Sequence, residues 1–527
     1  MRCLTLPRAA RAALICCVLC ASLAQARDAP DRPAAACPEL PALPAAPKDA
    51  LAVTDFGAQP DDARDDADAI LRALAALKPG QWLRFAPGRY LHDRRLPITT
   101  RGVVIDGRGA TLHATNPADM ALLVQASGVQ VLGFTLTAMT DRRRSTPWDS
   151  RIAIWRPQEQ RRDGLLSGVV IRANRILPSA DAPDGSPNGA SSTGIFVSGA
   201  RDFLIAANTV VRTLADGIHV TGGARDGRVI VNTVRETGDD MIAVVSYLGD
   251  GMWTRGQTRE LADTLAQRRE EKLVRNVLIA DNDVEGQYWG RGITVVGGEQ
   301  VTIRANRIAN TAHAAGIYVT REQVYVSFGV RDVRIEGNRI ERVQTDEAPY
   351  NPLPLPQRLR KTGHGAIEIG ARVFSDEVAI PALREALVVE RVAVIGNHVE
   401  RVRGAGIRIN EGVNEASLRR GERDLGGGRK GGPIERESRG GEVRDVVVRD
   451  NRFEAVRGAP ISAYGEAQAL RLACEGNRGE GAAVTSALCG ELRVLRAEAG
   501  GSTERGGKRA PQPEGEARGA TIDCAGR

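Results

Sequence analysis

A short apolar run that ends in asparagine recurs nine times along this chain. The asparagines are Asn174, Asn208, Asn232, Asn282, Asn306, Asn338, Asn397, Asn451 and Asn477. Between them lies a second phrase, of which GIFV, GIHV, GIYV and GIRI are examples. The shortest spacings, from Asn208 to Asn232 and from Asn282 to Asn306, are both 24 residues. A repeat of this length, with two or three short strands and no obligatory helix, predicts one coil of a parallel β-helix, which is an all-β solenoid.

The same phrases predict which side chains face outward. In Gly-Ile-x-Val the two aliphatic residues point into the core, so the residue between them points out. These outward residues are His219, Tyr318, Glu368 and Arg408, and we take them as candidates for substrate binding. We expect the repeated asparagines to be structural, because Asn tolerates the left-handed conformation at a tight bend and can stack on the Asn of the next coil.

Residues 1–26 predict a secretory signal. They combine a basic start, an apolar stretch and a small-residue cleavage site at Ala24-Gln25-Ala26. No later apolar stretch approaches the ~18 residues that mark a membrane span. We therefore expect a secreted or periplasmic protein with no membrane contact, and we expect a monomer.

Composition and the repeats predict how the rest of the chain is divided into segments. The Ala/Pro-rich residues 27–50 predict a linker, and residues 51–118 predict an N-terminal cap with the first coils. The repeats place the parallel β-helix at 119–495. Residues 496–527 predict a flexible tail, because they are rich in glycine and charge and carry no repeat.

The cap is predicted to contain a helix. Its apolar residues, with Asp65 or Asp66 as N-cap, fall on one helical face: Ala67, Ile70, Leu71, Leu74 and Leu77. A helix ahead of the first strands would cover the open end of the sheets. The sequence DFGA, the Asp-rich helix start and PGRY, over roughly residues 51–112, resemble the N-terminus of pectate-lyase-superfamily and polygalacturonase-like proteins. The resemblance implies a right-handed β-helix with an N-terminal capping helix.

Charge and cysteines restrict the partners and the compartment. The formal charge of +7 includes three signal arginines, and the +4 that remains is too small to indicate nucleic acid. Four cysteines lie beyond the signal, an even number that suits an oxidising compartment. Cys474–Cys489 is a plausible clip on the last coils, and Cys37–Cys524 would then join the termini. None of the four has metal-ligand spacing.

Long insertions follow four strands of the Gly-Ile phrase. They cover about 246–275, 321–330, 371–391 and 410–442. Insertions at one repeated point of a coil emerge on the same side of a solenoid, so they should build one wall beside the outward residues. A groove with such a wall suits an extended polymer. We therefore expect a polysaccharide partner. The basic loops Arg142-Arg143-Arg144 and Arg161-Arg162 could contact an acidic polymer.

Alignment of the Gly-Ile phrases places Asp216, Asp240 and Arg291 in one column, with Asp239 adjacent. Asp216 and Asp240 are 24 residues apart, which is one coil, so they should stack about 5 Å apart. Carboxylates this close raise one another's proton affinity. A protonated acid beside an ionised base is what glycosidic cleavage requires.

The segments LADGIHV and TGDDMIAVV are similar to the aspartate segments of polygalacturonases. The resemblance implies that Asp239 is the general acid, that Asp216 and Asp240 position and deprotonate the attacking water, and that configuration is inverted. The chain departs from the family at several points. Leu214-Ala215 replaces the usual Asn-Thr, and Gly290-Arg291-Gly292 replaces Gly-His-Gly.

The Gly-His-Gly of this chain, which contains His364, comes two coils later than in the family. The family's Arg-x-Lys is absent at its place, and Arg408 is the nearest equivalent. Specificity for galacturonate therefore does not carry over. Trp289 lies at a strand entrance, where an indole suits stacking on a sugar ring.

Two other functions stay open on the sequence alone. A polysaccharide lyase or uronate C5-epimerase needs a base and a group that neutralises the uronate, either Ca²⁺ or Arg. Arg291 with His219, or His364 with Lys361, would serve. The third reading is a non-catalytic polysaccharide-binding scaffold. For a hydrolase we expect no metal and no cofactor; only the lyase reading brings in Ca²⁺.

Overall fold

The structure is a computed structural model with three long parallel sheets that form the sides of a right-handed β-helix. The residues it describes are 40–157, 164–179, 187–249, 258–345, 350–410, 423–424, 430–431, 438–464, 472–479 and 482–483. The predicted signal peptide and tail lie outside these ranges, and so do Cys37, Cys489 and Cys524.

Sheet 1 holds the strands that end just before the repeated asparagines. In spatial order they are Leu51–Ala52, Trp82–Arg84, Val104–Asp106, Gln130–Leu132, Val170–Arg172, Leu204–Ala206, Arg225–Ile230, Arg275–Ala280, Gly298–Arg304, Val330–Glu336, Val389–Ile395, Val443–Arg449 and Leu472–Glu475. Two short strands, Leu166–Ser167 and Ala200–Arg201, pair beside this row.

Sheet 2 holds the strands that follow the repeated asparagines in the sequence. Its strands are Gly88–His92, Ala110–Ala114, Thr135–Ala138, Arg175–Ile176, Thr209–Val211, Thr233–Arg235, Asp283–Glu285, Arg307–Thr311, Arg339–Val343, His398–Val402, Arg452–Val456 and Arg478–Gly479, with Ala482–Ala483 antiparallel at the end.

Sheet 3 holds the Gly-Ile phrases. Its strands are Leu96–Ile98, Leu122–Val124, Ile152–Ile154, Ile195–Ser198, Ile218–Thr221, Ile242–Val245, Ile293–Val296, Ile317–Arg321, Ile367–Phe374, Ile407–Asn410 and Ile461–Tyr464. Ser438–Gly440 pairs antiparallel with the end of Ile367–Phe374. Away from these sheets, Arg423–Asp424 and Lys430–Gly431 form a two-stranded antiparallel pair.

The core fills the space between the three sheets. Its members are the inward residues that the alternating pattern predicts; Ile218, Val220, Ile242 and Val244 are all fully buried. Because each coil buries its apolar residues only against its neighbours, the core extends along the solenoid axis.

In the described chain, helices occur in the cap, in two of the insertions and in the segment ahead of strand Ile367–Phe374. They are Ala67–Ala76, Thr258–Asp263, Leu265–Lys272, Leu355–Arg358, Ser375–Val378 and Pro381–Ala386, with 3-10 turns at Val53–Phe56 and Pro147–Asp149. The predicted capping helix is therefore present. Ile70 and Leu74 join the main core, and Asp65 Oδ1 accepts a hydrogen bond from Ala67 N at 2.9 Å. None of these helices is long and apolar enough to span a membrane.

The asparagines form one continuous hydrogen-bonded ladder from Asn174 to Asn477. In a typical rung, Asn306 Oδ1 accepts from both the backbone N (3.0 Å) and Nδ2 (2.9 Å) of Asn282. Asn306 Nδ2 donates to Ile279 O and to Asn338 Oδ1. The ladder side chains are at most 1% exposed, so their polar atoms find partners only within the ladder and the adjacent backbone.

The prediction that the asparagines themselves take the left-handed conformation is wrong. The positive φ belongs to the residue before each asparagine, for example Ala173 at 58°, Asp281 at 56° and Gly396 at 63°. The bend is therefore one residue earlier. This frees the asparagine to turn its amide along the solenoid axis.

We expect Asn306→Ala to lower the free energy of unfolding. The substitution leaves the backbone N–H of Asn282 without a partner and removes the hydrogen bond that Asn306 Nδ2 donates to the carbonyl of Ile279. Each buried group left unpaired costs about 1–3 kcal/mol. Urea unfolding followed by far-UV circular dichroism measures the loss, and an unchanged midpoint would contradict the structural role of the ladder.

Three of the four predicted insertions pack together. Leu248 and Leu261 from the first, Phe328 from the second and Leu383 from the third belong to one buried apolar cluster that is separate from the main core. These three insertions therefore pack on one another beside sheet 3. The fourth, 410–442, lies largely outside the described residues.

Candidate active site

The aspartate column that the 24-residue spacing predicts is present. Ile218 pairs with Ile242, and Ile242 pairs with Ile293, so the residues two places before them, Asp216, Asp240 and Arg291, are aligned on adjacent coils. Backbone hydrogen bonds continue the alignment to this point, since Gly217 N donates to Asp240 O at 3.0 Å and Met241 N donates to Arg291 O at 3.0 Å.

The carboxylates of Asp216, Asp239 and Asp240 converge. One oxygen from each lies within 4.8 Å of the other two. The side chains differ in access, with exposed fractions of 13% for Asp216, 24% for Asp239 and 8% for Asp240. Asp216 and Asp240 precede their strands, so the alternation that turns Ile218 and Ile242 inward does not apply to them.

His219 fixes the side chain of Asp216. Its Nδ1 lies 2.6 Å from Asp216 Oδ2, and its ring stacks on Phe196 with centroids 5.6 Å apart. His219 was predicted to bind substrate from its outward position. The structure places it as a largely buried partner of Asp216, only 8% exposed.

Asp240 is held by Arg291. The backbone N of Arg291 donates to Asp240 Oδ1 at 2.7 Å, and the guanidinium lies 3.8 Å from the same oxygen. Burial raises the pKa of Asp240 well above its usual range; Arg291 opposes the rise, and the charges of Asp239 and Asp216 add to it. Asp240 therefore favours its protonated form more than an ordinary aspartate does.

Arg291 also forms the link to the next coils. Its Nη2 donates to Glu322 Oε1 at 2.6 Å, and its guanidinium lies over the ring of Tyr318, 4.4 Å from the centroid. Although burial opposes it, the negative charges of Glu322 and Asp240 raise the pKa of Arg291 well above its usual range. Arg291 is therefore a permanent cation beside the carboxylates.

Asp239 faces the solvent side of the cluster and pairs with Arg143. Arg143 is half exposed, so it lies between Asp239 and the solvent. The backbone at 239–240 is packed closely against Gly290. A Cβ at Gly290 would lie 2.4 Å from Asp239 Oδ1, which explains why only glycine fits before Arg291.

Sequence reasoning missed four residues at this site: Arg143, Glu322, Tyr247 and Tyr325. Arg143 lies in a basic loop and the other three lie in or beside insertions, so no repeat marks them. Desolvation, and then the charge of Asp216, raises the pKa of Tyr247 above its usual range although 36% of the residue is exposed, and the effect of Asp216 places this phenol near the carboxylates. Tyr325 is half exposed on the insertion that carries Glu322.

The remaining outward residues form a second group on the next coils. Tyr318, Glu368 and Arg408 are paired in register on sheet 3, as predicted. The Tyr318 ring meets the His364 ring edge to face at 5.1 Å, and Arg408 Nη1 donates to Gly363 O at 2.6 Å.

Ionisation in this second group is strongly perturbed. Burial lowers the pKa of His364 well below its usual range, and the charges of Arg291, Arg372 and Arg408 lower it further. Burial raises the pKa of Glu368 although the charge of Arg408 opposes it. At neutral pH the imidazole of His364 is therefore uncharged.

In the described structure, no hydrogen bond or ring contact joins Trp289 to either group. Its indole stacks on His313 with centroids 4.5 Å apart and planes 10° apart. His313 is itself fixed by the carbonyl of Arg360 at 2.8 Å from Nδ1.

The three aspartates also have the spacing of a cation site. Carboxylate oxygens are ligands that Ca²⁺ prefers, so the donor set fits a calcium ion. The two guanidiniums of Arg143 and Arg291 already balance part of the negative charge. A Ca²⁺ ion at the cluster would therefore compete with these two guanidiniums for the carboxylate oxygens.

No protein-family model matches the sequence, and no curated protein matches it. Solved structures do match. The catalytic domain of a GH87 alpha-1,3-glucanase in complex with nigerose is 15% identical, with a TM-score of 0.51, over 83% of this chain and 70% of that one. The catalytic unit of a thermostable GH87 alpha-1,3-glucanase from Streptomyces thermodiastaticus strain HF3-3 is 16% identical, with a TM-score of 0.49, over 85% and 71%.

The A-module of the mannuronan C-5 epimerase AlgE6 from Azotobacter vinelandii is 15% identical, with a TM-score of 0.46, over 82% of this chain and 100% of that one. At such identities the likeness shows the fold. It agrees with the right-handed parallel β-helix predicted from the repeats.

Proposed function

We propose that this chain is a carbohydrate-active enzyme, and specifically a glycoside hydrolase that cleaves a polysaccharide with Asp216, Asp239 and Asp240. The observation that carries the proposal is the convergence of three carboxylates from adjacent coils, of which one, Asp240, has a raised pKa. Glycosidic cleavage needs a proton donor and a proton acceptor at the same bond. A cluster that shares protons supplies both.

The spacing of the cluster suits a water molecule. Three oxygens within 4.8 Å of one another can all lie about 2.8 Å from a common centre, which is hydrogen-bond distance. A water at that centre is oriented by carboxylates, and an ionised one among them can take its proton. We assign this role to Asp216 and Asp240, because a raised pKa makes the ionised form of Asp240 a stronger proton acceptor than an ordinary aspartate.

Asp239 is the most exposed of the three and takes the role of general acid. It donates its proton to the glycosidic oxygen as the bond from C1 to that oxygen breaks. The water oxygen then bonds to C1 from the other face, and its proton passes to Asp216 or Asp240. The cluster ends with the same number of protons, now differently placed, and configuration at C1 is inverted. A sugar that reaches Asp239 also contacts Arg143, which lies on its solvent side.

The nigerose complex supports a carbohydrate substrate. A domain of the same fold, with a TM-score of 0.51, binds that disaccharide. We therefore place neutral α-1,3-linked glucans first among the polymers to be tried. Because residues 1–26 have the pattern of a secretory signal, we propose that the enzyme acts outside the cytoplasm.

The lyase and epimerase alternatives receive less support from the site. In the first candidate pair, His219 is largely buried and bonded to Asp216, and Arg291 is already paired with Glu322. The Lys361 ammonium of the second candidate pair donates to the carbonyls of Ala312 and Thr345.

The experiment is incubation of the purified protein with neutral and uronate polysaccharides, scored both for new reducing ends and for ultraviolet absorbance of unsaturated products. We expect reducing ends without absorbance, and we expect Asp239→Asn to lower their release by about 10²–10⁴-fold. Addition of EDTA should leave the rate unchanged. Unsaturated products would establish the lyase, and absence of both products would overturn the hydrolase in favour of the epimerase or the scaffold.

A further inference from the structure

One surface on sheet 3 has no part in the chemistry proposed above. On the N-terminal side of the aspartates, outward residues are paired in register from strand to strand: Leu123 with Ala153, Ala153 with Phe196 and Phe196 with His219. Three of these four are apolar. They therefore form an apolar floor that leads along the solenoid axis to the residue that holds Asp216.

Two indoles cover this floor. Trp148 comes from the 3-10 turn Pro147–Asp149 ahead of strand Ile152–Ile154, and Trp155 directly follows the same strand. Their rings meet with centroids 5.8 Å apart and planes 72° apart. The rings pack on Ala121, Leu123 and Ala153, which are buried, while both indoles remain partly exposed. The small side chain of Ala153 leaves the space into which the two rings fold.

We call Trp148, Trp155 and Phe196 the aromatic platform. It is continuous with the aspartate site, because Phe196 stacks on His219 and His219 bonds to Asp216. The strand that bears Ala153 is two strand spacings, about 10 Å, from the strand that bears His219. A polymer lying along sheet 3 with one linkage at Asp239 would therefore place its neighbouring units on the platform.

The charge that stacks on the platform is balanced. Among the described residues, the guanidinium that lies over a platform ring is that of Arg95, 4.4 Å from the centre of the Trp148 ring. Arg95 Nε also donates to Asp119 at 2.6 Å, so its charge is compensated. Such a surface matches the apolar C–H face of an uncharged pyranose, and the compensated charge of Arg95 gives a uronate carboxylate no advantage there.

We propose that the aromatic platform is a set of binding subsites for neutral pyranose units of the substrate, one to two coils from the cleavage point. The proposal rests on the proposed function, of which it specifies the substrate class. It predicts that affinity increases with oligosaccharide length, since short oligosaccharides at the aspartates do not reach Trp155.

The test uses tryptophan fluorescence with a series of α-1,3-linked glucose oligosaccharides of increasing length as the probe, on the full mature chain. We expect the longer members to change the emission of the wild-type protein. Trp155→Ala should raise the Kd of these oligosaccharides by roughly 3- to 10-fold, which corresponds to the loss of one aromatic contact. Trp155→Phe keeps an aromatic ring and should retain most of the affinity. Trp82→Ala, which removes an indole from sheet 1, is the matched control and should bind as the wild type does.

A second readout separates the platform from the chemistry. With a cleavable substrate, Trp155→Ala should raise KM more for long than for short oligosaccharides and leave kcat on the shortest one unchanged. Equal binding by wild type and Trp155→Ala, or no response of the wild type to any member, would overturn the platform. Binding at the platform without release of reducing ends would instead overturn the hydrolase and leave the platform standing.

Discussion

Asp240→Asn is expected to lower kcat by about 10²–10⁴-fold, the usual contribution of one general acid–base group, while the protein stays at least as stable as the wild type. The amide has nearly the shape of the protonated acid that burial favours at this position. It can still accept the hydrogen bond from Arg291 N through its oxygen. Initial-rate assays and thermal unfolding at the same pH measure the two effects.

The stability of this variant should depend on pH in a definite direction. The folded-state pKa of Asp240 lies well above the usual Asp value, so the folded protein binds this proton more tightly than the unfolded chain does. The wild-type protein therefore loses stability as the pH rises from the usual Asp range through the folded-state pKa. Asn has no proton to lose, so the melting temperature of the variant relative to that of wild type should increase over this range.

Asp202→Asn provides the control. Asp202 is an exposed aspartate on the same solenoid and has a φ of 52°, a conformation that Asn tolerates. It should keep full activity, and its stability should follow the wild type at every pH. Retained activity in Asp240→Asn would mean that Asp240 is a structural residue at the strand entrance.

The fold could be predicted because every coil repeats the same sequence features. Each coil contributes an apolar run, an asparagine and a Gly-Ile phrase, and these recur often enough to define the period without any long-range contact. The same period predicted the alignment of Asp216, Asp240 and Arg291, because one coil separates each from the next. The left-handed residue of each bend was predicted one position too late. The sequence repeats the buried Asn, whereas the residue with positive φ, directly before it, varies from coil to coil.

The rest of the site could not be predicted, because it comes from parts of the chain that do not repeat. Arg143 reaches Asp239 from 96 residues away, across three coils. Glu322 and Tyr325 come from an insertion whose position depends on how several insertions pack. The outward position of His219 was predicted, but its bond to Asp216 arises from side-chain geometry at the strand entrance.

The insertions depend on one buried ion pair, and Glu377→Ala is expected to lower the free energy of unfolding by about 3–5 kcal/mol. Arg321 and Glu377 are at most 1% exposed, with Nη2 and Oε1 2.8 Å apart. Arg321 also donates to the carbonyls of Ser327 and Arg372, which tie the second insertion to the third. Removing the carboxylate leaves the guanidinium charge buried without its counter-charge, and Phe374 N loses its acceptor, Glu377 Oε2.

Activity should fall together with stability in this variant, because Glu322 directly follows Arg321 and holds Arg291 against Asp240. Urea unfolding gives the energy, and kcat measured well below the unfolding midpoint gives the effect on the site. The double variant Arg321→Met/Glu377→Leu removes both charges and should recover most of the stability. Asp68→Ala, which breaks the exposed pair with Arg94, should cost less than about 1 kcal/mol. An equally small loss for Glu377→Ala would show that the insertions are held by their apolar cluster alone.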